Sequence, residues 1–552
     1  MRLVVVAVAV SFAALAALAG ARAEALTGTS GPDRLVGTSG PDSIHALGGD
    51  DRVDGRSGGD LLDAGTGSDR VLGGDGDDRI AVSGDGFDTV ACGPGRDTVA
   101  ADQGDAVAAD CEIVSRELSR DPYRSDGAQH QTEVEPDSFS WGSTIVTTFQ
   151  AGRYASGGAA NIGFATSRNA GRTWRSGFLP RLSVSSKPAG TSARVTDSSV
   201  AYDALHKTWL IVSLGGAEGV AGEDDTGEND DRLFVSRSPN GLTWSAPVVA
   251  GRGQEAFDKP WIACDNWGTS RFRGRCYLSY LDVRNGLIMT ARSTNGGRSW
   301  SAAVGHASAD ATVLRNGAQL AVLPSGTLIV VYSAFAPFPG PDDHMTVIRS
   351  TDGGVSFSRE AFAATIGQSI VFGVRTISFP SVEQDAAGKI YAVWQDCGPS
   401  EGCEANDVVL STSTDGVSWS GPARVPTGRT DSSTDFFLPA IGVQRTTRGA
   451  SARLTVAYYS LAPCQPSFCP GVEVAAVSSR NGGLTWSPPT RLAPQQMPLT
   501  WVAESDLGRM LADYISVSYA AGRPVPVFAL ANAGPAGRLF HQEIYAATRG
   551  IG

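Results

Sequence analysis

Ser293-Thr294-Asn295-Gly296-Gly297-Arg298-Ser299-Trp300 is one of six versions of the same short stretch. Residues 167–174 read SRNAGRTW, 350–357 STDGGVSF and 479–486 SRNGGLTW; two copies are a residue shorter, SPNGLTW at 238–244 and STDGVSW at 413–419. The closing aromatics Trp174, Trp244, Trp300, Phe357, Trp419 and Trp486 lie 70, 56, 57, 62 and 67 residues apart. A unit recurring at that period implies a repeat architecture. Its chemistry is that of a turn. The Asp or Asn at the third position bonds backbone amides of its own turn, the following Gly takes positive φ, and the aromatic buries a large apolar face. Strand-like runs flank the copies, such as 287–291 and 407–412, so each copy is expected to join two antiparallel strands.

These residues resemble the Asp-box, or BNR, repeat of sialidases and other β-propellers. The resemblance implies an all-β propeller over residues 131–550, with the boxes as folding devices that do no chemistry. Strand patterns give six box-bearing blades. Runs at 513–519, 525–531 and 540–547 add a seventh, closed by an N-terminal strand near Gln131. Seven blades are favoured over the six of sialidases.

Ahead of the boxes lies a second, tighter period. Asp33, Asp42, Asp51, Asp60, Asp69, Asp78, Asp88 and Asp97 step by nine, with a single ten. Each is followed two residues later by Leu35, Ile44, Val53, Leu62, Val71, Ile80, Val90 or Val99, and glycines precede it. This pattern resembles the calcium-binding RTX nonapeptide, which implies a short parallel β-roll over 24–112. In such a roll the apolar residue stacks inward, and corner carboxylates and carbonyls cage Ca²⁺, a hard cation that takes oxygen ligands. Asp51, Asp60, Asp69, Asp75, Asp78, Asp88 and Asp97 are the expected metal ligands, for several ions. Residues 24–112 hold 17 Asp, two Glu, six Arg and no Lys, a net −13, against −12 for the whole chain. The large domain is therefore near neutral and lacks the basic footprint of a nucleic-acid binder. Gly55-Arg56-Ser57-Gly58-Gly59 matches a hydrolase pattern, but in a repeat corner rather than a strand-to-helix elbow.

Residues 1–23 read as a secretory signal: Arg2, an apolar run from Leu3, then Ala21-Arg22-Ala23. No later run is long and apolar enough to span a bilayer, so no transmembrane anchor is expected after cleavage. The protein is expected outside the cell, free or at the cell surface, as a monomer. Eight cysteines fall into four local pairs, Cys92/Cys111, Cys264/Cys276, Cys397/Cys403 and Cys464/Cys469, read as disulfides in an oxidising compartment. Residues 113–130 are polar and read as a linker.

In a propeller the innermost strands line a central channel, so polar residues that start those strands are the site candidates. Asp258, Asp513, Tyr514 and Glu135 are candidates for catalysis, and Arg153, Lys259, Trp261, Asp396 and Arg509 for substrate binding. Carboxylates around one mouth would supply a general acid and base for glycoside cleavage. Sialidases hold the substrate carboxylate with three arginines, the first in an Arg-Ile-Pro-like motif. Here that stretch is Val134-Glu135-Pro136-Asp137, without arginine. Elements such as Asp258-Lys259-Pro260-Trp261 and Gly508-Arg509-Met510 are similar to secreted sialidase-like BNR-repeat proteins, a resemblance that carries no activity across. Two functions stand: a sialidase-like glycoside hydrolase on extracellular glycans, or a non-catalytic glycan-binding or adhesion protein. An extracellular glycan or polysaccharide is the expected partner in both.

Overall fold

A computed structural model of the protein describes residues 23–216, 231–253, 256–306, 313–336, 343–429, 433–464, 469–533 and 540–551. The expected signal segment falls outside them except for Ala23. The described chain is all-β, with three 3₁₀ turns as its only helical elements.

The nonapeptides form a β-solenoid of five turns. One parallel sheet stacks Ala25–Thr27, Ser43–His45, Leu61–Asp63, Arg79–Val82, Thr98–Ala101 and Ile113–Glu117. The other stacks Arg34–Val36, Arg52–Ser57, Arg70–Asp75, Thr89–Ala91 and Ala106–Val107. Two nonapeptides make one turn, so each apolar residue sits above its counterpart 18 or 19 positions on: Ile44 over Leu62, Ile80 and Val99 in one column, Val53 over Val71 and Val90 in the other. These side chains fill a closed core that the Cys92–Cys111 disulfide caps.

Antiparallel sheets follow in chain order. The first holds Ala128–Trp141, Thr144–Tyr154, Ala159–Ser167 and Arg175–Phe178, and the second Arg194–Asp203, Thr208–Gly216, Asp231–Ser238 and Val248–Gly253. The third to sixth are separate four-stranded meanders that open with Phe257–Cys264, Leu314–Val322, Ser381–Gln384 and Asp435–Val443. The seventh joins Ser516–Ala520, Arg523–Ala531 and Gln542–Arg549. Its fourth strand corrects the sequence reading. Ile113–Glu117 pairs antiparallel with Gln542–Arg549, whereas the region near Gln131 gives only the single pairing Thr132–Gln542. The expected linker 113–130 therefore begins with a strand. That strand belongs to both units, since its other edge pairs with Thr98–Ala101 of the solenoid.

Each box joins the third strand of its sheet to the fourth. In the copy at 293–300, Ser293 Oγ accepts from Gly297 N (3.0 Å), and Asn295 Oδ1 accepts from Arg298 N (3.0 Å) and Ser299 N (3.1 Å). Gly297 has φ +73° and presses on the preceding sheet, where a Cβ would meet Leu210 at 2.7 Å. Equivalent glycines put Gly241 on Val146, Gly354 on Tyr277, Gly416 on Ile329 and Gly483 on Leu410, each one sheet back. Gly171 of the first box rests on Val525 of the seventh sheet. The opening strands also touch in sequence, first to second and onward to the seventh, and the seventh touches the first. A Ser293→Ala change removes the acceptor of the Gly297 and Asn295 amides and is expected to cost about 1–3 kcal/mol, read as a lower urea midpoint at unchanged m-value.

All four cysteine pairs are disulfides: Cys92–Cys111, Cys264–Cys276, Cys397–Cys403 and Cys464–Cys469. Cys264 and Cys276 are direct cross-strand partners.

Candidate functional site

The solenoid carries its aspartates as two buried columns. Asp51 Oδ1 accepts from Asp33 N (2.7 Å), Asp69 from Asp51, Asp88 from Asp69, and Asp105 from Asp88 (3.0 Å). The second column runs Asp42, Asp60, Asp78 and Asp97, and ends on Glu112. Asp105 and Glu112 break the nine-residue step, so periodicity alone does not reveal them. The second carboxylate oxygen of Asp51, Asp60, Asp69, Asp78 and Asp97 is buried without a hydrogen-bond partner. Burial, then like-charged neighbours, push Asp69 and Asp97 up to about 6 and Asp78 and Asp88 to about 7. Anionic, oxygen-only and partly orphaned, this donor set fits a hard cation. Among the described residues no three His, Cys, Asp or Glu side chains converge on one point, so a cation here would draw on carbonyls as well. Asp75 differs from the other expected ligands, for it is exposed at the end of its strand.

The antiparallel part has its own polar centre, built where the opening strands bulge. Glu135, Asp197 and Lys259 hold φ of +54°, +48° and +45°, each at a register shift in the first strand of its sheet. A bulge re-aims the side chain it carries. Lys259 Nζ donates to Asp197 Oδ1 at 2.6 Å and Glu135 Oε1 at 3.1 Å, and sits 2.7 Å from Asp513 Oδ2. Arg375 closes a two-pronged pair on Asp513, Nε to Oδ1 at 2.9 Å and Nη2 to Oδ2 at 2.5 Å. Gln150 donates to the other oxygen of Glu135. Side-chain exposure is 1% at Glu135, 5% at Asp197, 9% at Lys259 and 1% at Asp513. The carboxyls titrate in opposite directions. Burial holds Glu135 above the usual carboxylate range, while Lys259 and Arg375 hold Asp513 far below it against the effect of burial.

The structure thus brings Glu135, Asp513, Lys259 and Tyr514 together. The Tyr514 ring lies 5.7 Å from Lys259 Nζ and edge-on to Trp261 at 5.2 Å, and its hydroxyl donates to Ser198 O. Asp258 stands beside them, accepting from Asn316 Nδ2 at 2.7 Å. The other candidates are engaged elsewhere. Arg153 donates to Gly158 O and Met510 Sδ, Arg509 to Val502 O with Glu504 beside it, and Asp396 accepts from Trp394 Nε1 and Gly398 N. The sequence reading gives Arg375 no role, because nothing local marks a residue that reaches Asp513 across 138 positions.

Next to this cluster lies a cavity of about 800 Å³. The opening strands line it, with Trp261 and Tyr514 near the cluster and Trp141, Trp267 and Tyr519 among its aromatics. Asp137, Glu383 and Arg445 add polar groups to its wall. Asp137 Oδ2 accepts from Val200 N (2.8 Å), and burial pushes its carboxyl up to about 8.

A third group lies where the first strand meets the last. Glu133 and Glu543 are fully buried, and each has one oxygen without a partner. Burial first, then neighbouring acids, raise both carboxyls well above their usual range: Asp121 acts on Glu133, and Glu133, Glu117 and Asp121 act on Glu543. Raised folded pKa values make stability fall as pH climbs above the unfolded value of about 4.3. Glu543→Gln is expected to raise Tm at pH 8 and to change it little at pH 4, by scanning calorimetry at fixed calcium.

Residues 27–62 and 54–90 match the family model of the RTX calcium-binding nonapeptide repeat. The N-terminal segment is thus a run of RTX repeats. No curated protein matches the chain. Among solved structures, an ulvan lyase bound to a glucuronate–sulfated rhamnose unit is 11% identical, covering 78% of this chain and 97% of its own, with TM-score 0.45. The NanB sialidase of Streptococcus pneumoniae is 12% identical (78% and 70% covered, TM-score 0.40). The α-L-arabinanase of Penicillium chrysogenum is 14% identical (63% and 93%, TM-score 0.42). These likenesses are too distant to carry chemistry to this chain.

Proposed function

We propose that this is a secreted, calcium-loaded glycan-binding protein, with seven sheets arranged as the blades of a β-propeller and an RTX solenoid bonded to the last blade. The propeller is supported by the cyclic order of the boxes, each resting one sheet back and the first resting on the seventh. Ca²⁺ is assigned to the Asp columns, where it would neutralise carboxylates that otherwise repel. Four disulfides suit an extracellular setting.

Binding rather than turnover rests on one observation: the ionisable cluster is saturated by its own members. Lys259 spends its donors on three carboxylates, and Arg375 spends its fork on Asp513. The adjoining cavity has the size and apolar, aromatic wall of a ligand site. With calcium-loaded protein, a panel of sialosides and of acidic and neutral polysaccharides is expected to show binding without released product.

A glycoside hydrolase is the second reading, favoured by the opposed titration of Glu135 and Asp513, the signature of an acid beside a fixed carboxylate. Product release that is lost in Asp513→Asn would establish it.

A further inference from the structure

The shape of the cavity bears on how a ligand enters it, an inference that rests on the proposed reading of the cavity as the glycan site. At one end its wall is made by Lys259, Trp261, Asp513 and Tyr514, close to where the opening strands begin. The cavity reaches no further than these two ions, for their partners Glu135, Asp197 and Arg375 are not on its wall. At the other end it meets the turns that follow the first strands of the first, sixth and seventh sheets. Among the described lining residues the exposed ones, Trp141, Gly142, Thr446, Ala521 and Gly522, all lie at this end. Along the first sheet's opening strand the wall runs from Asp137 to Trp141, four residues or about 13 Å at ~3.3 Å per residue.

We propose that this is a blind pocket that takes a glycan by its chain end. The terminal sugar lies against Trp261 and Tyr514, and the following units run outward past Trp141. The ion cluster makes the inner end impassable. Side-chain exposure there is 9% at Lys259 and 1% at Asp513. Lys259 is tied to Glu135 and Asp197 as well as to Asp513, and Asp513 to the Arg375 fork, so a chain threaded past them would separate buried ion pairs. A chain bound at its middle needs an exit as well as an entry, and the exposed wall lies at the turn end alone. Both levels of the pocket carry aromatic surface for the apolar face of a sugar ring. Trp261 and Tyr514 stand edge-on at 5.2 Å in the inner level, and Trp141 lies 5.5 Å from Tyr202 at the mouth.

Calorimetric titration of the calcium-loaded chain tests this with amylose, galactan, galacturonan and hyaluronan, each as the intact polymer, its hexasaccharide and its disaccharide. A polymer that binds is expected to saturate at one protein per chain, whatever its length. Counted per sugar unit, it is expected to bind more weakly than its hexasaccharide by the ratio of the chain lengths. Trp141→Ala at the mouth is expected to weaken the hexasaccharide by up to about tenfold, the size of one lost aromatic contact, and the disaccharide by less. Many proteins on one chain, with binding still weakened by Trp261→Ala, overturn the chain-end reading and leave the cavity as the glycan site. A Trp141→Ala loss that is equal for the two fragments overturns the outward path of the chain. Binding that Trp261→Ala does not weaken, or no binding by any of these glycans at millimolar concentration, overturns the cavity as a glycan site altogether.

Discussion

Stripping calcium from the intact chain is expected to melt the solenoid while most of the antiparallel sheets persist. Two columns of buried aspartates stand 18 or 19 residues apart along the chain yet in contact across the turns. Without a cation they must either take up protons or repel. Each saturated site adds about 2.7 kcal/mol when free calcium is a hundred times Kd, and several sites act on one cooperative unit. A chelator should therefore lower the first unfolding transition by tens of degrees and open 24–112 to protease. The shared strand Ile113–Glu117 carries the effect further. Amides of Gln542–Arg549, which pair with it, are expected to exchange faster in chelator than those of Asp435–Val443, which do not. Unchanged melting and an unchanged digest in chelator would remove calcium from this account.

Lys259→Met is expected to be the most damaging single change in the antiparallel part. It leaves Glu135, Asp197 and Asp513 facing one another without the ammonium that bridges them, and with Arg375 bonded to Asp513. Breaking a buried ion cluster by deleting one partner costs about 3–5 kcal/mol. The sign with pH is definite. Loss of the ammonium removes the charge that lowers Glu135 and Asp513, and their folded pKa values rise above the unfolded ones. Stability is then lost as pH rises through the window between the two, and the deficit shrinks in acid. Urea unfolding of variant and parent at pH 4.5 and 7.5 should show the larger difference at pH 7.5. A pH-independent deficit would point to lost packing of the lysine stem instead.

Local patterns account for what was legible in the sequence. The nine-residue Asp step and its apolar partner two positions on specify the solenoid core, because a parallel ladder stacks like on like. The box residues make the turn bonds their chemistry suggests. Less legible was anything that depends on which strand lies beside which. Ile113–Glu117 sits in a polar stretch, and its partner is more than 400 residues away. Asp105 and Glu112 end the carboxylate columns out of step. At the candidate site, Glu135, Lys259, Asp513 and Tyr514 could be picked out as polar residues opening strands. Their mutual saturation, and the entry of Arg375 from the fifth sheet's approach, are products of the bulges and of the sheet order. Asp396 and Arg509 looked equally eligible, but short-range bonds claim them.

The most direct test is a crystal structure of the calcium-loaded chain soaked with the oligosaccharide it binds most tightly. A sugar ring is expected against Trp261 in the cavity of about 800 Å³, with the Lys259 cluster intact and metal density between successive turns of the Asp columns. A sugar bound away from that cavity, or one that displaces Lys259 from Asp513 to reach the carboxylates, would contradict it.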